Sequence, residues 1–340
     1  MPGPRRFLLL FLLLALAACQ APLPPASLSL PTPSGSAAVP SQPWTPSPSP
    51  EPSASLPAEA TDTPLPTSGL PVTTSPGATT NPAPAPTLSS TPLPAVLALD
   101  PGAWHTWPVL PIVPAYARLI YQLGQSLGND PHAFSVFGDC QSEPDVFMGV
   151  YETDPQALAA LPQELQDTVV WFSGSFNRLS PTVRGGTTAG ALLWAPWHQG
   201  KFTCTEYETP LQCELRIHKP SFVIVHVGTH YESRNDAYMR TILEQLIAAG
   251  VVPILASKAD DRELDEHVNT QYAQLAVEYN LPFWNFWAAV DGLPNRGLYT
   301  RPEAAYQGDL YLTDEAAAIQ RLTALQALDL VRRAVQPASP

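Results

Sequence analysis

After residue 100 the chain alternates between short, continuously apolar runs and longer stretches in which apolar residues recur every three or four positions. The short runs predict buried strands at Ala133 to Gly138, Ser221 to Gly228, Val251 to Ser257 and Phe283 to Phe286, with Thr168 to Phe172 (Thr-Val-Val-Trp-Phe) as a fifth. The periodic stretches predict helices at Tyr116 to Leu127, Asp154 to Leu165, Asp236 to Ala249, Leu264 to Tyr279 and Asp314 to Val335, the last with Thr313 as its N-cap. Between them, Arg178 to Trp194 holds a glycine turn, Gly185-Gly186, ahead of a small-residue helix. Strands that are apolar on both faces and alternate with helices predict a parallel sheet covered on both sides, a three-layer α/β/α, flavodoxin-like fold.

The pattern before residue 100 is of another kind. Arg5-Arg6 and the apolar stretch Phe7 to Ala18 have the layout of a secretory leader and are too short for a permanent membrane span. The stretch ends in Leu16-Ala17-Ala18-Cys19, which resembles the lipobox of bacterial lipoproteins. That resemblance implies cleavage after residue 18, a lipid on Cys19, and an extracytoplasmic chain whose contact with the membrane is through this lipid only. Residues 19–100 are rich in Pro, Ser, Thr and Ala, with no Lys or Arg between Arg6 and Arg118. Such a segment cannot bury enough apolar surface to offset the entropy of ordering it, so it reads as a tether. In polyproline-like extension it spans on the order of 200 Å.

Residues 101–340 suit one domain with a sizeable core. Only two arginines and four acids precede Pro101, so most of the net charge of −13 belongs to this domain. A surface of that sign argues against nucleic acid and against docking on anionic lipid. Outside the cell thiols tend to pair. With Cys19 lipidated, Cys204 and Cys213, flanking a polar stretch with Pro210, are the expected disulfide and Cys140 is the odd thiol. Cys140 bridged to one of the others stays open as the alternative.

Candidate chemistry sits where strands end, the place where ligands bind in open parallel sheets. Three blocks stand there: Phe137-Gly138-Asp139-Cys140, Val227-Gly228-Thr229-His230, and Gln307-Gly308-Asp309-Leu310-Tyr311-Leu312-Thr313 just before the last helix. They resemble the Gly-Asp-Ser, Gly-Thr-Asn and Asp-x-x-His blocks of the SGNH (GDSL) hydrolases in order and spacing, over Ala133 to Val335. The resemblance implies the SGNH type of the three-layer fold and an ester hydrolase ancestry with no cofactor. It places Cys140 at the nucleophile, Gly186 (or Gly185) at the glycine oxyanion donor, His230 at the asparagine donor, Tyr311 at the histidine base and Gly308 at the acid, with Asp309 one residue away from that acid position.

In such a site a serine attacks the ester carbonyl, a histidine takes its proton, and backbone and asparagine N–H groups hold the developing oxyanion. Cysteine can replace serine, because a thiolate is the better nucleophile. Tyrosine is a poor proton acceptor at neutral pH. His230 beside Cys140 would make a Cys–His pair; a metal site built from Cys140, Asp139, His230 and His226 lacks a tight ligand spacing, and none is expected. His198, His218 and His267 read as surface or loop residues. Trp104, Trp107, Trp194, Trp197, Trp284 and Trp287 divide between core positions and the lining of a carbohydrate or acyl cleft. Together these readings predict a surface lipoprotein whose esterase-like domain is catalytically impaired and retained to bind a glycan or acyl ligand. The alternative is an active ester hydrolase or acyltransferase with Cys140 as nucleophile.

Overall fold

A computed structural model describes residues 99–230 and 236–336. The leader of residues 1–18, the lipidation site Cys19 and all but the last two residues of the tether lie outside the described residues. The described chain opens with a 3-10 turn at Pro101–Thr106, capped by Asp100, whose carboxylate accepts the Gly102 N–H at 2.9 Å. It continues through α1 (Ala115–Leu127), β1 (Asp130–Gly138), α2 (Val150–Thr153), α3 (Pro155–Ala159), α4 (Gln163–Trp171), α5 (Ala189–Leu192) and α6 (Pro210–His218). Then follow β2 (Pro220–His226), α7 (Ala237–Ala248), β3 (Val252–Ala256), α8 (His267–Glu278), β4 (Phe283–Trp284), α9 (Phe286–Val290), β5 (Leu298–Tyr299), β6 (Tyr311–Leu312) and α10 (Asp314–Val335).

The main sheet has the order β1-β2-β3-β4 and is parallel throughout, with Phe134 beside Phe222, Gly138 beside His226 and Ile224 beside Ile254. Because the strands follow one another in sequence order, right-handed crossovers put α6, α7 and α8 on one face, and α1 packs with α10 across the other. Every residue of β2 and β3 is buried, as strands covered on both faces must be. Phe134 meets Phe172 and Phe176 edge-on at 5.4 and 4.8 Å. Each such fully buried ring contributes about 1.5–3 kcal/mol of burial free energy.

Three sequence expectations change. Thr168 to Phe172 is no strand; it is the last turn and C-cap of α4, with Leu165, Thr168, Val169 and Phe172 buried at helical spacing and Val170 70% exposed. Its β-branched composition suggested a strand, but tertiary packing of one helical face overrides so short a propensity signal. The helix expected from Asp154 to Leu165 is broken into α3 and α4, because Pro162 cannot donate into a continuing helix and instead caps α4. The helix expected from Leu264 starts only at His267: Leu264 and Glu266 adopt positive φ, and the Asp261 carboxylate takes the Glu266 N–H at 2.8 Å. Beyond α2, and α9, which begins at Phe286 where a strand was expected, two more elements were not anticipated. One is α6, opened by a reciprocal Thr209–Gln212 capping box, and the other is the antiparallel β5–β6 hairpin.

Candidate functional site

The site is assembled at the carboxyl ends of β1 and β2. At the end of β1 the chain turns so tightly that a Cβ on Gly138 would lie 2.3 Å from the Ser142 Cβ. Asp139 follows with 1% exposure; its Oδ1 accepts the Gln141 N–H at 3.2 Å, and its Oδ2 is enclosed without a partner. Cys140 comes next, half-buried and unpaired. After β2, Gly228 takes φ +135°, with the Val268 Cγ1 only 2.7 Å from where its Cβ would be. Thr229 then anchors the turn, donating its hydroxyl to Asp260 Oδ2 at 2.8 Å and accepting from Arg262 at 2.8 Å through its carbonyl. The two turns bring Cys140 Sγ to 3.7 Å from His230 Nε2.

The pair is neutral at rest. Burial pushes the Cys140 thiol up to about 12, and the carboxylates of Asp139 and Glu143 push in the same direction. Burial, then the Arg262 guanidinium, holds the His230 imidazole below its ordinary value. A thiolate–imidazolium pair, the resting state of the most reactive thiols, is therefore disfavoured on both sides. What remains is a thiol beside a neutral base, able to pass its proton only as a new bond forms.

The glycine turn lies alongside, because Gly138 N–H donates to Thr182 O at 3.1 Å and Arg184 N–H to Gly138 O at 3.3 Å. A Cβ on Gly185 would stand 3.7 Å from the Cys140 Cβ. Its N–H, however, is already taken by the Glu143 carboxylate. Gly186, at φ +82°, faces Trp197. An acid thus occupies a backbone donor beside the thiol, and its charge opposes both a thiolate and an oxyanion.

The third block turns elsewhere. The Tyr311 hydroxyl donates to Gln307 Oε1 at 2.8 Å, and the Arg301 guanidinium lies over its ring at 3.8 Å. Asp309 is exposed and bridges the loop, accepting from Thr300 Oγ1 at 2.5 Å and Asn295 Nδ2 at 2.9 Å. Gly308, at the acid position, has φ +74° and open space around its Cα. The block still adjoins the Cys140 turn, since Gln141 Nε2 donates to Leu310 O at 2.6 Å.

His226 does not share the Cys140–His230 face. It is buried, with Nδ1 2.9 Å from Ser142 Oγ, and burial lowers its pKa to about 4. Among the described residues no three His, Cys, Asp or Glu side chains converge as a metal ion requires. His198 is not a surface residue, being 4% exposed. His218 closes α6, with Nε2 3.1 Å from Phe134 O. Trp104, Trp107 and Trp284 belong to the core, and Trp197 lines a cleft. Cys204 and Cys213 form the disulfide and leave Cys140 free.

Sequence reasoning missed Glu143 and the charge cluster at the end of β3. Lys258, buried with Asp260 and Glu263, donates to them at 2.9 and 2.6 Å. The Asp139 carboxyl beside this cluster is pushed up to about 7, chiefly by desolvation, with Asp260 raising it further and Lys258 opposing. The signal for Lys258 was present, a charged residue directly after an apolar strand. Glu143 gave none, because an acid three residues past a cysteine looks like any polar turn residue.

No family model and no curated protein matches the chain. Solved structures similar to it include a psychrotrophic esterase from Pseudoalteromonas sp., 14% identical over 58% of this chain and 97% of that one, with a TM-score of 0.36. A GDSL-like lipase from Bacteroides thetaiotaomicron is 16% identical over 64% of this chain and 98% of its own, with a TM-score of 0.37. A candidate acylhydrolase from Bacteroides fragilis is 14% identical over 65% and 99%, with a TM-score of 0.38.

Proposed function

We propose that the chain is a surface-tethered, lipid-anchored protein with a divergent SGNH-type domain that binds a glycan or acyl ligand without hydrolysing it. One observation carries this reading. The Glu143 carboxylate sits on the Gly185 N–H beside Cys140, so a negative charge already stands next to the place where an oxyanion would develop, on one of its two candidate glycine donors. The position that should supply a base supports it further, because Tyr311 gives its hydroxyl proton to Gln307. The Cys–His contact of 3.7 Å favours a second reading, a slow thiol hydrolase or acyltransferase in which His230 is the base. Hydrolysis of 4-nitrophenyl acetate by the full chain and by Cys140→Ala, followed from pH 6 to 9, separates the two. No rate above buffer, or a rate indifferent to Cys140, fits the binding module; turnover lost with Cys140 establishes the hydrolase.

A further inference from the structure

Close to the thiol turn lies a cleft of about 230 Å³ whose lining includes Glu143, Asp145, Arg184, Trp197, Lys201 and Phe202. Its volume is below the roughly 300 Å³ at which pockets for drug-sized molecules begin, so it suits a group the size of one sugar ring. The segment 197–204, which supplies part of the lining, is tied down. Gln199, Phe202 and Thr203 all take positive φ, a conformation that a bulky or β-branched residue adopts only where its surroundings enforce it. Arg216 holds the Thr203 carbonyl at 2.8 Å, and the Cys204–Cys213 disulfide staples the segment to α6. A wall ordered in advance loses little entropy when a ligand arrives.

The polar groups of the lining point to the ligand's chemistry. The Arg184 guanidinium lies over the Trp197 ring at 3.8 Å, and among the described residues neither it nor Lys201 is paired with a carboxylate. Arg178, Arg216, Arg240 and Lys258, by contrast, each hold an acid. His198, a buried residue of the lining, accepts the Gly200 N–H on Nδ1 at 2.9 Å, and its Nε2 is enclosed without a partner. In the same lining Glu143 and Asp145 offer acceptors for hydroxyl groups, and Trp197 and Phe202 offer apolar ring faces.

We propose that this cleft binds a carboxylate-bearing sugar residue, a uronic acid, with its carboxylate on Arg184 and Lys201 and its hydroxyls donating to Glu143 and Asp145. The assignment rests on the ligand-binding reading above and names the ligand's chemical class.

Saturation-transfer NMR and calorimetric titration of the full chain with sodium glucuronate, glucose and sodium acetate, at constant ionic strength, test it. Glucuronate should bind at least about 10-fold more tightly than either control, and Arg184→Gln and Lys201→Gln should each weaken it about 5-fold or more. Lys201 is exposed, so its substitution leaves folding intact and keeps the test decisive if the Arg184 variant melts early. Equal binding of glucose and glucuronate, binding of acetate as tight as glucuronate, indifference to Lys201→Gln, or no glucuronate binding at about 20 mM would each overturn the assignment. Turnover of 4-nitrophenyl acetate lost in Cys140→Ala, measured on the same samples, would overturn the non-catalytic reading independently of which sugar binds.

Discussion

Replacing Glu143 tests how the thiol is suppressed, and two variants separate charge from steric occupation. Glu143→Gln keeps an oxygen for the Gly185 N–H but removes the charge, whereas Glu143→Ala also frees the donor. At a separation of about 5 Å a unit charge acts with roughly 3 kcal/mol at an effective dielectric of 20, and for a partly exposed group like Glu143 this falls to about 1–2 kcal/mol. That is about one pK unit off a thiol which burial alone would keep high. One unit raises the thiolate fraction tenfold. The weaker nucleophilicity of a less basic thiolate returns part of that gain, leaving alkylation by iodoacetamide about 3-fold faster at pH 7.5. Glu143→Ala should match that alkylation rate. It should exceed Glu143→Gln only in the acylation burst with 4-nitrophenyl acetate, where a freed oxyanion donor is worth up to about 10²-fold. Alkylation of Glu143→Gln no faster than wild type would refute the electrostatic argument. Equal acylation bursts in the two variants would show that the Gly185 N–H is not the donor that matters.

Three other outcomes follow from the same geometry. Asp139 has a folded pKa of about 7 against 3.8 for the free group, so its burial is least costly below pH 4 and costs progressively more as pH rises toward 7. Asp139→Asn should therefore melt increasingly higher than wild type between pH 4 and 7 and level off above; a difference that does not change with pH would contradict the buried carboxyl. Gly138→Ala should lose about 3 kcal/mol in urea denaturation, because its methyl meets Ser142 and backbone positions give little; a loss below about 1 kcal/mol would mean the turn relaxes freely. Reducing the Cys204–Cys213 bridge should cost about 2–3 kcal/mol and lower Tm by roughly 5–10 °C, read by melting with and without dithiothreitol. An unchanged Tm would show that Arg216 and the α6 cap alone hold that wall.

The parts of the fold that sequence resolved are those where one physical signal dominates. Strand and helix are not confused in β2, since Phe222 to Val225 is apolar throughout and flanked by Pro220 and Gly228; nor in α10, where Thr313 caps a long periodic stretch. The error at Thr168 to Phe172 arose because five residues are too few to show a period, and only the preceding Leu165 and Pro162 reveal the helix. In the site, the approach of Cys140 to His230 was expected from the resemblance of their two blocks to those of the SGNH hydrolases, which converge on one oxyanion. Glu143 on Gly185 was not readable, since that contact depends on the path of 182–184 beside β1. The Lys258 cluster needed the same attention to strand ends that exposed Cys140 and His230.

The loop that carries Tyr311 also bears on the protein's evolutionary options. Tyrosine and histidine codons differ by a single nucleotide, so a histidine at 311 is always one mutation away. Such a change would strip the partner from Gln307 and the ring from Arg301, while Asp309 stayed committed to Thr300 and Asn295 and Gly308 offered no side chain to orient the new imidazole. The first step toward a proton-accepting residue therefore loses local contacts before it gains chemistry. The genetic path is open, and the intermediate on it is the obstacle: at this loop the present state is entrenched.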